Sequence, residues 1–451
     1  MHSDTIVAIA TAPGKGGIGI VRVSGKLAKT VGKTLLKKAL IPRSAVFCRF
    51  YDAKQRLLDE GIALYFPAPH SFTGEDVLEL QGHGGPVILD QVVNAALTIE
   101  GVRLARPGEF SERAFLNDKL DLTQAEAIAD LIDASSVQAA RSAVRSLQGE
   151  FSDKISTLFM QLTELRMYVE AAIDFPEEEV DFLSDGAVES KIESLSNAIQ
   201  QLKRQVQTGV ILKEGLSIVI AGKPNAGKSS LLNALSGQNR AIVTDIAGTT
   251  RDILKEQVQI QGVPLHIIDT AGLRESLDVI EQAGIERARQ AMAQADHILW
   301  LADVTQHPSI DTSIKQAIMQ MDVEVPVTVI FNKIDLVGRL EARQQQDGVT
   351  CIYLSAKCHK GLELLSDHLL QVAGVSNAGE GNFIARRRHI DAVERAEQFI
   401  EHGRIQLKAH RAGELLAEDL RQAQLALSSI TGQFTADDLL GEIFSQFCMG
   451  K

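Results

Sequence analysis

Residues 216–230, LSIVIAGKPNAGKSS, decide the fold of the chain around them. An apolar run typical of a buried strand leads into a glycine-rich turn, and LLNAL with helical spacing follows. Gly222, Gly227, Lys228 and Ser229 stand in the spacing GxxxxGK[ST], in which backbone N–H groups curl around phosphates. The pattern predicts a phosphate loop. Lys228 would reach the β- and γ-phosphates, Ser229 would bind Mg²⁺, and the following helix would direct its positive end at the anion.

Strands and helices alternate from residue 216 to about residue 373. Besides LSIVIAG, the short apolar runs are VPLHIIDT, HILWLADV, VPVTVIFN and CIYLSA, and a polar or helical segment follows each of them. This alternation predicts a mainly parallel sheet with helices on both faces. The phosphate loop therefore belongs to an α/β domain.

The strand VPLHIID ends in DTAG, residues 269–272. An aspartate at this strand end is suited to the Mg²⁺ shell, and the glycine lets its backbone N–H approach the γ-phosphate. Thr250, in AGTTRD, would complete the Mg²⁺ shell. These residues predict a nucleotide triphosphate with its metal at the phosphate loop.

Two later motifs select the base. In NKID, Asp335 would accept both N–H donors of the guanine edge, Lys333 would lie over the base and Asn332 would brace the loop. SAK, residues 355–357, would present a backbone N–H to the guanine oxygen. Because the motifs occur in the expected order and each follows a strand, they predict a GTPase.

The residue after DTAG is Leu273, where many GTPases have a glutamine that orients the attacking water. An apolar side chain cannot align water, so another group must do so, and a cation must neutralise charge in the transition state. Asn225, inside the phosphate loop, has a carbonyl oxygen that could hold a monovalent ion. The alternative is an asparagine that only stabilises the loop.

The segments on either side of this domain differ from it. Residues 1–118 have short β-rich runs and one helical segment, which predicts an α+β domain. Residues 119–210 and 379–451 have the apolar spacing of long helices. Gly14, Gly16 and Gly19 match GxGxxG, but a β-type run follows, so we expect a turn between strands rather than a dinucleotide site.

Composition excludes several classes of protein. The chain has 451 residues and a net charge of −12, which disfavours indiscriminate binding to nucleic acid but leaves room for a local basic patch. Four cysteines give no disulfide framework, and the start of the chain lacks the pattern of a signal peptide. No run has the roughly 18 apolar residues of a membrane span. We expect a cytoplasmic protein.

GKPNAGKSSLLNAL, TDIAGTTRD, DTAGLRE and NKID, with ATAPGKGGIGIVRVSG near the start and CMGK at the end, resemble the MnmE (TrmE) family of tRNA modification GTPases. The resemblance covers essentially the full chain. It implies a multidomain fold with an α+β folate-binding-like dimerisation domain at residues 1–118. A discontinuous all-α domain at residues 119–210 and 379–451 would flank an inserted Ras-like P-loop G domain at residues 211–378.

The resemblance also implies the reaction. GTP would be hydrolysed when two G domains of a homodimer meet, with Mg²⁺ bound and K⁺ in place of an arginine finger. A heterotetramer with the FAD-dependent flavoprotein MnmG (GidA) would then modify carbon 5 of the wobble uridine of certain tRNAs. The product would carry an aminomethyl or carboxymethylaminomethyl group, and a tetrahydrofolate derivative, in its 5-formyl or methylene form, would supply one carbon.

The motifs and the resemblance together indicate the site residues. The GTP-binding residues are Asn225, Ala226, Gly227, Lys228, Ser229, Ser230, Thr244, Asp245, Ile246, Ala247, Gly248, Thr249, Thr250, Asp269, Thr270, Ala271, Gly272, Asn332, Lys333, Asp335, Ser355, Ala356 and Lys357. The resemblance assigns Mg²⁺ to Ser229 and Thr250, K⁺ to Asn225, Thr244, Ile246 and Thr249, and folate to Arg22, Glu79, Lys119 and Lys451. Each of the four folate residues alone would suggest an ordinary surface ion pair.

The resemblance gives Glu281 the role of positioning the attacking water, although the residue alone would suggest a solvated helix charge. Arg386, Arg387 and Arg388 form the densest basic cluster, which predicts either a tRNA contact or a solvated helix start. The CMGK tail would fold back onto the amino-terminal domain, or it would be a disordered end. The alternative functions are a regulatory switch GTPase in ribosome assembly and a folate enzyme that merely contains a G domain.

Overall fold

A computed structural model describes residues 4–174, 186–238, 255–269, 290–321, 324–375, 383–410, 412–433, 437–445, 447 and 450. The chain divides into two compact units. The first unit comprises Met1–Ala129, Leu147–Ala171 and Ala417–Lys451, and the second comprises Asp130–Ser146 and Ala172–Leu416. Residues 175–185, between two of the helical segments, lie outside the described residues.

The helices are numbered in chain order. They are α1 (Ala28–Leu36), α2 (Pro86–Leu97), α3 (Glu109–Leu116), α4 (Leu122–Ile132), α5 (Val137–Leu147), α6 (Glu150–Asp174), α7 (Ala187–Glu214), α8 (Lys228–Gln238), α9 (Thr312–Met319), α10 (Leu362–Val372), α11 (Arg387–His410), α12 (Gly413–Thr431) and α13 (Asp437–Ser445). Within the described ranges, no helix combines the length and the apolar character that crossing a membrane requires.

A six-stranded sheet in the order β3-β4-β5-β2-β1-β6 lies at the centre of the first unit. Its strands are β1 (Thr5–Ile9), β2 (Gly16–Ser24), β3 (Val46–Tyr51), β4 (Leu57–Phe66), β5 (Val77–Gly84) and β6 (Val102–Leu104). The pairing of β1 with β6 is parallel and the other pairings are antiparallel. Gly14 lies in the turn between β1 and β2, as predicted, whereas Gly16 and Gly19 of the GxGxxG segment belong to β2 itself.

Both faces of β1 are covered. Val7 belongs to an apolar cluster that α1 and α2 complete on one face, whereas Ile6 and Ala8 pack with Phe110 of α3 on the other. Further along the unit, Leu122 packs with Phe444 and other residues of α13 in a separate apolar cluster. The first unit is therefore a mixed α+β structure. Its α1, α3 and β6 were not predicted from the sequence.

A seven-stranded sheet in the order β12-β13-β11-β10-β7-β9-β8 forms the centre of the second unit. Its strands are β7 (Leu216–Gly222), β8 (Lys255–Ile260), β9 (Val263–Asp269), β10 (His297–Asp303), β11 (Val327–Asn332), β12 (Ala342–Gln346) and β13 (Val349–Tyr353). The five central strands are parallel, and the edge strands β8 and β12 are antiparallel to their neighbours.

Alternate residues of β7 belong to different cores. Ile218 and Ile220 join the cluster that includes α8 and α10, whereas Val219 and Ala221 join a cluster on the opposite face. A strand buried on both faces is typical of a parallel sheet between helices. The predicted α/β domain with a mainly parallel sheet is therefore confirmed.

Long helices also belong to the second unit. Helices α7 and α11 pack along each other, and Lys203 of α7 forms ion pairs with Glu394 at 3.2 Å and Glu397 at 2.9 Å. The chain enters α11 beside α5, where the backbone N–H of Ile384 donates to the hydroxyl of Ser146 at 3.0 Å. Helical segments thus precede and follow the α/β segment in sequence, as predicted.

Candidate active site

The carboxyl ends of the five parallel strands meet at one edge of the second unit's sheet. Gly222, Asp269, Asp303 and Asn332 are the last residues of β7, β9, β10 and β11, and residues 355–357 follow β13 shortly after its end. In open parallel sheets this edge is where ligands bind. The described motif segments therefore lie together because of the strand order.

The phosphate loop turns tightly between β7 and α8. Gly227 has a φ of +100°, and a Cβ added there would lie 2.3 Å from Nδ2 of Asn332. An alanine would therefore meet both an unfavourable backbone conformation and a buried amide. Glycine at this position allows Asn332, in the NKID segment, to approach the phosphate loop.

Asn332 bridges two of the predicted GTP-binding loops. Its Nδ2 donates to the carbonyl oxygen of Ala226 at 2.9 Å, and its Oδ1 accepts from the backbone N–H of Ala356 at 3.0 Å. Asn332 is 3% exposed, and both hydrogen bonds are buried. This side chain therefore fixes the distance between the phosphate loop and the SAK segment.

The Lys228 ammonium lies over its own loop. Its Nζ donates to the carbonyl oxygens of Gly222 and Lys223, both at 3.1 Å. The side chain is largely buried, whereas Ser229 and Ser230 at the start of α8 are exposed. A cation at a helix amino terminus is a favourable environment for phosphate oxygens.

A second contact joins the NKID segment to the SAK segment. The hydroxyl of Ser355 donates to Oδ1 of Asp335 at 2.5 Å and accepts from the backbone N–H of Cys358 at 3.1 Å. The Asp335 carboxylate is thereby oriented while the residue remains exposed. Lys357 in the same segment is also exposed.

Asp303 lies in the candidate site, although no sequence motif indicates it. Lys333 Nζ lies 2.6 Å from Asp303 Oδ2. This ion pair holds Lys333 beside the carboxyl end of β10. Burial raises the pKa of Asp303, but hydrogen bonds from Lys333 and Thr305 hold that pKa below its usual value. The sequence could have indicated Asp303, because it ends β10, and β7 and β11 on either side of β10 both end in predicted motifs.

Asn225 stands in the loop with a φ of 62°, a conformation that asparagine tolerates better than most residues. Its side chain is exposed, and it has no hydrogen bond to another described residue. Its carbonyl oxygen is therefore available to a ligand.

Several predicted site residues lie outside the part of the chain that the structure describes. Those outside the described residues are Thr244, Asp245, Ile246, Ala247, Gly248, Thr249, Thr250, Thr270, Ala271, Gly272, Glu281 and Lys451. Leu273 and Cys448 also lie outside them.

A second group of predicted residues lies in the first unit. Arg22 of β2 and Glu79 of β5 are cross-strand partners, and Arg22 NH2 lies 3.0 Å from Glu79 Oε1. The Arg22 guanidinium also faces the rings of Phe72 at 5.4 Å and Phe110 at 5.7 Å. This corner combines a cation, a carboxylate and aromatic faces.

Lys119 lies beside the loop that adjoins this corner. A Cβ added to Gly74 would be 3.4 Å from Lys119 Cγ. The loop is attached to β2 because the Ser24 hydroxyl bonds to Thr73 and to Glu75, both at 2.7 Å. The exposed Lys119 is thus held near the strand that carries Arg22.

The tail contacts the same corner. Gly450 has a φ of +88°, and a Cβ added there would lie 2.1 Å from the carbonyl oxygen of Ile9. Arg22 NH1 donates to the Gly450 carbonyl at 3.4 Å. The tail therefore packs against the amino-terminal sheet at Gly450, in agreement with the predicted fold-back.

The basic cluster at the start of α11 is largely engaged within the second unit. Arg386 pairs with Asp130 at 3.0 Å, and Arg387 pairs with Glu214 at 2.9 Å. His389 is buried, and its Nδ1 accepts from the backbone N–H of Arg386 at 3.0 Å. These contacts favour a structural role over the predicted tRNA contact.

Two family models match the chain. One is described as the GTP-binding protein TrmE N-terminus and matches residues 5–119, and the other is the MnmE helical domain and matches residues 122–448. A tRNA modification GTPase MnmE from Hydrogenovibrio crunogenus is 59% identical over 100% of this chain and 99% of its own length. The protein of that name from Haemophilus influenzae (strain 86-028NP) is 57% identical over 99% of this chain and 100% of its own length.

Solved structures match part of the chain. Era Y63A from Aquifex aeolicus, bound to GDP·AlF4⁻, is 25% identical with a TM-score of 0.28, over 41% of this chain and 66% of its own. The G domain of the T. maritima FeoB iron transporter is 23% identical with a TM-score of 0.26, over 35% of this chain and 98% of its own.

Proposed function

The chain belongs to the MnmE family of tRNA modification GTPases, and from this membership we propose that it is a potassium-activated GTPase that modifies the wobble uridine of certain tRNAs. It is a GTP hydrolase that acts in tRNA modification. The proposal rests on one observation at the edge of the second unit's sheet: the Asn332 side chain joins the phosphate loop to the SAK segment.

The described residues fit GTP with Mg²⁺. Lys228 and the exposed Ser229 stand at the amino end of α8, where Ser229 would bind the metal and Lys228 the phosphates. Asp335, oriented by Ser355, would accept from the guanine edge. Mg²⁺ would neutralise charge that develops on the phosphates. Thr250, Asp269 and Gly272 would complete this arrangement.

Potassium activation is supported by two residues. Leu273 replaces the water-orienting glutamine, and the exposed Asn225 offers a carbonyl oxygen at the phosphate loop. K⁺, held by Asn225 and by Thr244, Ile246 and Thr249, would supply the positive charge that an arginine finger supplies elsewhere. Glu281 would position the attacking water.

A tetrahydrofolate derivative, in its 5-formyl or methylene form, would bind in the first unit. The Arg22–Glu79 pair, the nearby phenylalanine rings and Lys119 suit a ligand with an aromatic ring system and carboxylates. Lys451, next to the packed Gly450, would add a cation. The folate would supply the one-carbon unit, and these residues would bind and orient it.

The proposed assembly is a homodimer in a heterotetramer with the FAD-dependent protein MnmG (GidA), in the cytoplasm. A surface patch on the first unit supports the dimer. Phe47 of β3 and Ile62 of β4 are paired across the strands, and their side chains are 63% and 38% exposed. Neighbouring exposed apolar side chains are typical of an interface.

Wobble nucleosides from cells lacking this protein test the proposal. We expect mass analysis to show loss of the aminomethyl and carboxymethylaminomethyl forms, and a plasmid copy should restore them. An unchanged nucleoside profile would contradict the proposed function. The ribosome-assembly alternative has no comparable support, since relatives that match the full chain are named tRNA modification GTPases.

Glu281→Ala tests the hydrolysis step separately. It should retain GTP binding and lose most of the hydrolysis rate, because positioning of water matters in the transition state rather than in binding. A near-normal rate would show that Glu281 is an ordinary surface charge.

A further inference from the structure

Positive charge is concentrated near the start of an otherwise acidic chain. Residues 5–51 contain nine lysines and arginines and no aspartate or glutamate, although the whole chain has 46 basic and 58 acidic residues. Such separation of charge creates a local positive potential that the net charge conceals.

Four of these cations lie on α1 or at its two ends, and we call them the lysine row: Lys26, Lys29, Lys33 and Lys37. Helix α1 buries Val31, Leu35 and other apolar residues against the sheet. At about 100° per residue, Lys29 and Lys33 lie about 40° apart around the axis, on the side opposite Leu35, and Lys26 and Lys37 lie just before and just after the helix. All four are exposed, and so is the adjacent Lys38.

The lysine row lacks carboxylate partners among the residues that the structure describes. Two exposed lysines elsewhere have them: Lys315 pairs with Asp347 at 2.7 Å, and Lys408 pairs with Glu189 at 2.5 Å. The lysine row therefore keeps a positive charge that its own fold leaves uncompensated.

Local stability explains the positions of Lys33 and Lys37, where the helix dipole favours cations, but not those of Lys26 and Lys29. Lys26 and Lys29 stand at the amino end of α1, where the helix dipole disfavours cations, and no side chain caps this end. Lys37 ends the helix in the left-handed conformation, with a φ of 51°, at a position where glycine is usual. Its ammonium contacts the Tyr51 ring at 3.9 Å, and its backbone N–H donates to the carbonyl oxygen of Lys33.

We propose that the lysine row binds the phosphate backbone of tRNA, an inference that rests on the proposed function. Lysines about one helical turn apart are suited to a chain of phosphates and carry no sequence preference. A membrane surface fits less well. The exposed face beside the lysines holds Thr30 and Thr34, whereas the apolar side chains of α1 are buried.

The test is binding of a tRNA transcript to the full chain across several salt concentrations. Lys29→Glu/Lys33→Glu should weaken binding at least about tenfold and make the salt dependence shallower by about two in log–log slope. Lys315→Glu/Lys408→Glu changes the net charge equally on other helices and should bind tRNA like the unmodified chain. Thermal unfolding checks that both variants are folded.

Lys37→Gly provides a second variant that suits the left-handed backbone and so should not damage the helix. It should also weaken tRNA binding and reduce the salt slope by about one. Unchanged affinity in both row variants would overturn the inference, as would absence of tRNA binding by the unmodified chain at low salt.

Two further results separate the possible explanations. Binding of phosphatidylglycerol vesicles that is lost in the row variants, with tRNA binding unchanged, would assign the row to a membrane and overturn the inference. If wobble nucleosides depend on the protein but the row variants bind tRNA normally, only this inference fails. If the nucleosides do not depend on the protein, the proposed function itself fails.

Discussion

The side-chain amide of Asn332 donates to the carbonyl oxygen of Ala226 at 2.9 Å, across 106 residues of sequence. The same side chain accepts from the N–H of Ala356. The segment proposed to recognise guanine and the loop proposed to bind phosphate are therefore mechanically joined. When the phosphate loop binds a nucleotide, the segment proposed to recognise guanine already lies at a fixed distance from that loop.

Asn332→Ala should weaken both the fold and nucleotide binding. It leaves the carbonyl of Ala226 and the N–H of Ala356 buried without their partner, at a cost of about 1–3 kcal/mol. Urea unfolding and a fluorescent GTP analogue would measure the two effects. Asn94→Ala, on the exposed face of α2, should change stability by less than about 0.5 kcal/mol. Equal stability of the two variants would contradict the bridging role.

GTP hydrolysis should be fast in K⁺ and much slower in Na⁺. An arginine finger raises the rate of GTP hydrolysis by about 10³–10⁵ in other GTPases. Because K⁺ would supply the same charge, we expect the rate to fall at least about tenfold when the smaller Na⁺ replaces it. Asn225→Gly removes the carbonyl oxygen without straining the left-handed backbone. It should bind GTP normally yet respond equally to the two ions. Equal rates of the unmodified chain in K⁺ and Na⁺ would rule the idea out.

Lowering the pH from 6.5 to 4 should destabilise the second unit. His297 and His368 are buried and share the hydroxyl of Thr328, at 2.8 and 2.7 Å. Burial lowers the pKa of each histidine from 6.5 to about 4. The unfolded chain therefore binds more protons in this range, and up to about 3 kcal/mol per histidine is lost as the pH falls. Above pH 6.5 the pair contributes no pH dependence.

Fluorescence of Trp300, the single tryptophan, follows the unfolding of this sheet in urea. His297→Asn/His368→Asn should flatten the pH dependence, whereas His83→Gln, at an exposed site, should preserve it. A free energy of unfolding that is the same at pH 7 and pH 4.5 would refute the prediction.

Arg113→Met should destabilise the first unit by about 3–5 kcal/mol, because removing one partner of a buried ionic group strands the others. Arg113 is 1% exposed and lies 3.0 Å from carboxylate oxygens of Asp4, Glu75 and Glu109. Arg106→Met removes a surface cation that is 59% exposed and should cost less than about 1 kcal/mol. Similar unfolding midpoints for the two variants would contradict the prediction.

Deleting residues 448–451 should abolish wobble-uridine modification and weaken folate binding while K⁺-stimulated GTPase activity persists. The reason is that the tail packs at Gly450 against the corner that holds Arg22, whereas the nucleotide residues lie in the other unit. Isothermal titration with a 5-formyl folate and nucleoside analysis would measure the losses. Normal modification by the truncated chain would remove Lys451 from the proposed site.

A point variant makes the same test with a smaller change. Gly450→Ala should displace the tail, since its Cβ would meet the Ile9 carbonyl at 2.1 Å. Gly441→Ala, with nothing within 4 Å of its added Cβ, should behave like the unmodified chain.

Regular features were predictable because their signals are local. The five parallel strands of the second unit are apolar runs, and the motif at each strand end follows from its neighbours in sequence. Short elements escaped prediction: α3 has eight residues and β6 has three, which is too few for periodicity to show. The predicted domain boundaries stay a prediction.

Side-chain partners far apart in sequence were not predictable. The sequence around Arg386 is typical of an exposed basic cluster. In the structure, however, Arg386 pairs with the carboxylate of Asp130, 256 residues earlier in the chain. The lysine row is the opposite case, because an overall charge of −12 conceals a local basic surface. In both cases the deciding information is which side chains face each other after folding.

The first unit is assembled from segments at opposite ends of the chain, and this constrains its synthesis. Leu122 and Ala125 complete an apolar cluster with Leu440, Ile443, Phe444 and Phe447. At about 5–20 residues per second, a ribosome needs roughly 15–60 s to make the intervening chain. For that time the apolar face of α4 has none of these carboxyl-terminal partners. We therefore expect nascent chains stalled before residue 440 to recruit holdase chaperones, and to release them once translation resumes.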